Sequence, residues 1–185
     1  MKNASRVPSA AAAVLLAFTC GAASGRTRTG DEAPPKVPPA LAVPSAFEVQ
    51  VSLTATGVQI YRCQPSPQAA SQFTWTLVAP EATLFDRSGK VAGHHYAGPT
   101  WEANDGSKVV GTVAARFPSP DGTSIPWLLL SAKVTTPGET FEHVGYVQRL
   151  DTKGGAAPAA GCSADAANAE VRVPYSALYY FYAPR

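Results

Sequence analysis

The chain has 185 residues, a hydrophobic fraction of 45% and a formal net charge of +2, which allows a single domain once any leader is removed. The charge is uneven: residues 1–45 hold Lys2, Arg6, Arg26, Arg28 and Lys36 against Asp31 and Glu32, leaving ten basic and eleven acidic residues, a net of −1, for the rest. This argues against a nucleic-acid partner, whose footprint needs a basic patch on the folded domain itself.

The N-terminus reads as a secretory signal over residues 1–23. Lys2 and Arg6 give a positive start, Ala10 to Phe18 is an apolar run, and small residues follow from Gly21 to Gly25. The run is too short to span a bilayer, which needs ~20 apolar residues, and no transmembrane span is expected in the mature chain. Cys20 is a weak lipid-attachment candidate, because Ala17 and Thr19 stand where an aliphatic and a small residue are wanted. Lipid anchoring is therefore not the expectation. Residues 24–45 carry Pro34, Pro35, Pro38, Pro39 and Pro44 and read as a Pro/Ala-rich flexible arm, too poor in apolar surface to offset its own ordering entropy. Removing the signal removes Cys20 and leaves Cys63 and Cys162. Two cysteines in an exported chain most simply pair, closing a loop of ~100 residues worth up to ~4.7 kcal/mol in the chain-entropy description.

Residues 46–185 read as one all-β domain. Val49, Val51 and Leu53 alternate with polar residues and predict a first strand. Gly57 separates it from a run over Val58 to Cys63, in which Val58, Ile60 and Arg62 share one face and Gln59, Tyr61 and Cys63 the other. Phe73 to Val78 and Ala82 to Asp86 follow, then a hairpin loop at Arg87–Lys90 and a return over Val91 to Ala97. Trp101 to Ala103 leads to Asn104-Asp105-Gly106-Ser107, a strong hairpin signal. Lys108 to Phe117 places Val109, Val113 and Phe117 on one face. A second Asp-Gly turn at Asp121-Gly122 precedes Ile125 to Thr136, whose Trp127-Leu128-Leu129-Leu130 predicts a strand buried on both faces. Phe141 to Leu150 runs back, 151–160 is a small-residue loop, Ser163 to Ala169 makes one or two helical turns, and Val171 to Tyr182 is an aromatic strand. No sustained 3.6-residue period occurs, so the expected architecture is an antiparallel β-sandwich or barrel stapled by Cys63–Cys162.

Gln59-x-Tyr61-x-Cys63, Trp75 to Pro80, His95-x-Ala97-Gly98-Pro99-Thr100-Trp101, Asp105-Gly106-Ser107, Ile125-Pro126-Trp127-Leu128-Leu129, Arg149, Thr152-x-Gly154-Gly155 and the terminal Tyr-Phe-Tyr occur in this order. The order resembles that of the domain-of-unknown-function family 3455, over about residues 46–182. The resemblance implies a secreted or surface domain of bacteria and fungi and assigns no catalytic residue. A dinucleotide fold finds no support, since no Gly-x-Gly-x-x-Gly follows a strand and no βαβ pattern is present.

Chemistry-bearing side chains are densest between His94 and Ser107. His94 and His95 are adjacent and must point to opposite faces of a strand, so only one of them can join His143, Glu102 and Asp105 in a cluster. That spacing matches no metal signature, and neither a metal nor another cofactor is expected. Asp105, before Gly106, fits turn chemistry better than acid/base work. Trp75 and Trp127 sit in apolar runs, whereas Trp101 has polar neighbours and is the tryptophan expected at the surface. The binding candidates are His95, Tyr96, Trp101, Glu102, Asp105 and His143. Arg149, if buried, needs a partner, and Glu102 or Asp105 would serve. The leading functional expectation is non-catalytic binding of an extracellular or cell-surface ligand by an exported domain. The alternatives are a small secreted enzyme using the His/Glu/Asp cluster, with or without metal, and a structural envelope protein.

Overall fold

The structure, a computed structural model, describes Met1 and residues 33–185. The rest of the expected signal, with Cys20, and the first part of the expected arm lie outside the described residues.

Eight strands form a closed barrel in which every neighbour is antiparallel and sequence order is spatial order. They are β1 (Phe47–Ser66), β2 (Ala69–Phe85), β3 (Val91–Tyr96), β4 (Thr100–Ala103), β5 (Lys108–Phe117), β6 (Trp127–Thr136), β7 (Tyr146–Gly154) and β8 (Glu170–Pro184). Between the two architectures left open by the sequence, the chain adopts the barrel. Pairing of β1 with β8 over most of both strands closes the ring, which leaves no bare sheet edge at that seam.

Two sequence breaks do not break strands. Gly57 lies inside β1, opposite Ala82 and Tyr175. A Cβ there would collide with the Glu81 carbonyl and the Ala82 backbone, so glycine permits a close approach of β2 and does not end the strand. Pro80 lies inside β2, paired with Gln59. Next to it Val78 bulges, since Ile60 pairs with Ala79 and Tyr61 with Leu77, and such an irregularity accommodates a residue lacking N–H. The turns follow their sequences closely. Asp86 Oδ1 accepts from the Ser88 and Lys90 backbones. Asp105 Oδ1 accepts from the Ser107 backbone and hydroxyl at 2.9 and 2.6 Å, with Gly106 at φ +82°.

The interior is filled by Leu53, Ala55, Leu84, Trp101, Val109, Leu130, Val147, Tyr179 and Phe181. The segment before β7 does not start the strand early. Phe141, fully buried, and Val144 join this core, and Phe141 meets Phe181 at 4.6 Å between ring centroids, so the 137–145 loop plugs one end. Ile125, in the loop before β6, is buried, and the Thr152 hydroxyl of β7 donates to its carbonyl at 2.6 Å. The outer wall carries Glu48, Thr54, Arg62, Lys133 and Arg172, unlike the apolar band of a lipid-facing barrel. No helix among the described residues is long and apolar enough to cross a membrane.

The disulfide is Cys63–Cys162, as the cysteine count implied. It ties the long connection between β7 and β8 to β1, assisted by backbone bonds from Cys63 to Ala169 and from Asn168 to Cys63.

The second half of the expected flexible arm is docked. Pro39–Leu41 forms a 3-10 turn with Leu41 fully buried. Leu41 packs with Leu129 and Leu150, flanked by Val37 and Val43, and its carbonyl accepts from Gln148 Nε2 at 2.6 Å. Gln148 Oε1 in turn accepts from the Tyr182 hydroxyl at 2.6 Å. Three apolar side chains are enough to strap this segment across the outer faces of β5 to β8, and composition alone underweights them.

Candidate functional site

The stretch between His94 and Ser107 folds as β3, a tight tip at Ala97–Pro99, β4 and the Asp105-Gly106 turn. Strand alternation divides its side chains. His95 and Trp101, directly paired across the hairpin, point into the barrel and are 2% and 1% exposed. Tyr96 and Glu102 point outward, where the Tyr96 hydroxyl donates to Glu102 Oε2 at 2.8 Å and Lys108 Nζ lies 3.2 Å from the same oxygen. These two contacts, the tyrosine first, hold the Glu102 carboxyl below its ordinary pKa.

The expected surface position of Trp101 is therefore corrected: it is the most buried of the three tryptophans. Its ring stacks on His95 at 4.5 Å and 8° and receives the edges of Tyr179 at 5.3 Å and Phe181 at 5.9 Å. Those partners lie on β8, far along the chain, which is why the polar residues beside Trp101 were a poor guide. Gly111 makes room for the indole, since a Cβ there would sit 3.0 Å from Trp101 Cζ3.

The barrel does not fill completely. A cavity of about 240 Å³ lies beside Gln59, His95, Trp101, Leu128, Leu130, Arg149 and Tyr179. The short hairpin explains its opening. Pairing of β2 with β3 ends at Ala82–His95, and pairing of β4 with β5 ends at Thr100–Val110. Beyond those pairs β2 and β5 continue without a neighbour on that side. The cavity is bordered there by Leu77 to Pro80 of β2, by Gly98 and Pro99 at the hairpin tip, and by Val113 and Arg116 of β5.

A bulge sets which residues reach it. Val113 pairs with Leu130, but Ala115 pairs with Leu129 and Arg116 with Leu128. The one-residue slip at Ala114 turns Arg116 inward and Phe117 outward. Phe117 is 38% exposed and does not share the Val109–Val113 face as its spacing suggested. Arg116, Leu128, Arg149 and Tyr179 then form one continuous cross-strand row.

The electrostatics of the cavity are one-sided. Arg149 Nε and Nη2 donate to the Pro126 carbonyl at 3.2 and 2.9 Å. Glu102 and Asp105, its expected partners, lie elsewhere, and among the described residues neither Arg149 nor Arg116 pairs with a carboxylate. Among the described residues none that lines the cavity is acidic. His95 adds no charge at neutral pH. Burial drives its pKa down to about 3, partly countered by its contact with the Thr100 carbonyl and reinforced by the Arg149 charge. Nδ1 lies 2.8 Å from that carbonyl, which can only accept, so Nδ1 carries the proton and Nε2 is left as an acceptor. Two lining residues hold buried polar atoms without a hydrogen bond, Gln59 Nε2 and Trp101 Nε1, while the Tyr179 hydroxyl lies against the Tyr175 hydroxyl and the Arg149 guanidinium. Burial raises the Tyr179 pKa, and the Arg149 charge pulls it partly back.

The expected His/Glu/Asp cluster is not assembled. Asp105 also accepts from the Thr140 backbone at 2.8 Å. Burial acts to raise its pKa, but these hydrogen bonds prevail and hold it at about 2. His143 stands on the surface beside Glu142, 3.6 Å away. Among the described residues no three His, Cys, Asp or Glu side chains converge to hold a metal. A shallower groove of about 430 Å³ lies on the outer wall beside Gly57 and His94. Its charged residues, Glu81 and Arg172, already pair with each other at 2.7 Å.

A family model described as "Protein of unknown function (DUF3455)" matches residues 44–183. The chain belongs to this family. Comparisons with curated proteins and with solved structures gave no match. The DUF3455 match covers the barrel except for the last residue of β8, and it stops short of Leu41, whose strap lies just outside it. Within the DUF3455 domain, Gln59 and Arg116 are cavity residues that the sequence did not mark for binding, whereas Tyr179 belongs to the terminal tyrosines whose rings suggested a stacking platform. Gln59 alternating with Tyr61 and Cys63 was the one available sign of a polar inward face. Arg116 had none, because its orientation depends on the bulge.

Proposed function

We propose that this exported domain binds a small molecule non-catalytically, in the cavity between Trp101 and Arg149. The observation that carries this reading is a cavity with an opening through the barrel wall and, along it, two buried donors, on Gln59 and Trp101, that make no hydrogen bond. A buried donor left unpaired costs about 1–3 kcal/mol, and a ligand's acceptors would recover that cost. Eight-stranded barrels are wide enough to hold one small ligand. An apolar cavity of ~150 Å³ holds benzene, so 240 Å³ suits a single ring with a short substituent.

Binding is favoured over catalysis by His95. A base whose pKa lies at about 3 is far from the neutral value that general-base work requires. The disulfide favours an oxidising compartment, and with the signal-like N-terminus supports a periplasmic, cell-surface or extracellular location.

The test follows the Trp101 indole N–H resonance while uncharged single-ring compounds such as phenol and benzamide are added. The resonance is expected to shift, and the shift to vanish in Val113→Trp, where the new side chain fills the cavity. No shift with any compound, or a shift that persists in Val113→Trp, overturns the reading.

A further inference from the structure

We infer that the ligand is a carboxylate, a small monocyclic acid whose anionic end sits between Arg149 and Arg116. This rests on the reading of the cavity as a binding site and names its chemical class.

The charge count leads. Arg149 is half-buried beside a cavity that, among the described residues, no acid lines, and His95 beside it is neutral. A cation withdrawn from water calls for a counter-charge, and the Pro126 carbonyl offers only a dipole. Arg116, itself exposed to solvent at the mouth, is a second cation turned toward the same cavity by the Ala114 bulge, with Leu128 between the two in the cross-strand row. At about 4.8 Å per strand their Cα atoms lie roughly 10 Å apart, within reach of one anionic group for side chains of this length.

The unpaired groups agree. Gln59 Nε2 and Trp101 Nε1 both offer hydrogen atoms, and their residues are each at least nine-tenths buried. Donors and cations without an acid select a ligand rich in acceptors. Pro80, Val113, Leu128 and Leu130 supply apolar walls for the rest of it. A planar carboxylate matches the guanidinium fork in two parallel hydrogen bonds, and attachment to a ring uses the apolar walls, which inorganic phosphate cannot do.

The experiment titrates the intact domain with matched pairs, benzoate against benzamide and phenylacetate against phenylacetamide, with inorganic phosphate as a separate arm. Binding is read by calorimetry and by the Trp101 indole resonance. Each acid is expected to bind about tenfold or more tighter than its amide. Arg116→Met is expected to erase most of that preference, weakening the acids far more than the amides. Arg149→Met should do the same, and if it fails to fold, the wild-type pairs and Arg116→Met decide. Equal binding of acid and amide overturns the carboxylate and leaves the cavity reading standing. Phosphate binding tighter than either acid also overturns the carboxylate. Failure of every acid and amide to bind overturns both.

Discussion

His95 gives the sharpest energetic consequence of this barrel. It is buried and neutral, with a pKa near 3 in the folded protein against 6.5 for an ordinary histidine. Above pH 6.5 the ring is neutral in both the folded and unfolded states, and the difference contributes no penalty. As pH falls below 6.5 the unfolded chain takes up a proton that the folded protein refuses, so stability falls. The loss continues until pH reaches the folded value. At ~1.4 kcal/mol per unit it totals on the order of 5 kcal/mol, with about 2 kcal/mol already lost by pH 5. For a urea dependence near ~2 kcal/mol/M, the midpoint should drop by about 1 M between pH 7 and pH 5. Urea unfolding of the wild type and of His95→Gln at both pH values isolates the effect, because every other titrating group cancels. In parallel, the His95 ring resonances should not move between pH 8 and pH 4. An equal pH slope in wild type and His95→Gln, or a His95 ring that protonates near pH 6.5, would refute the buried neutral imidazole.

Leu41→Ala tests the docked strap. It should cost about 2–5 kcal/mol in denaturant unfolding, whereas a truly loose arm would give no change. Replacing Cys63 and Cys162 by alanine opens a 99-residue separation, and the unfolding free energy should fall by about 2–5 kcal/mol. Gly111→Ala would place a methyl 2.9 Å from Leu130 Cδ2 and 3.0 Å from Trp101 Cζ3. Overpacking of that kind costs about 1–3 kcal/mol, measurable as a lowered midpoint with altered Trp101 fluorescence.

Local patterns in the chain carried most of the strand plan. Lys108–Phe117 was bounded correctly by its flanking turns, and Asp86, Asp105 and Asp121 sit where turn chemistry puts them. Alternation also separated His94 from His95. It could not say which face of a strand is the inside, because that depends on neighbours distant in sequence. Trp101 turns inward to meet Tyr179 and Phe181, and Gln59 turns inward while Val58 and Ile60 face out. The bulges at Val78 and Ala114 leave no local mark, yet they shape the border of the cavity and aim Arg116 into it. Arg149 was read as needing a carboxylate from within the chain, and the fold instead leaves both expected partners outside the barrel.

The most direct measurement is a high-resolution crystal structure of the domain soaked in phenylacetate. Ligand density is expected between Trp101, Tyr179 and Leu128, with the carboxylate within hydrogen-bonding distance of Arg149. A cavity occupied by ordered water alone at saturating phenylacetate, or filled by rearranged protein side chains, would contradict the binding role assigned to it.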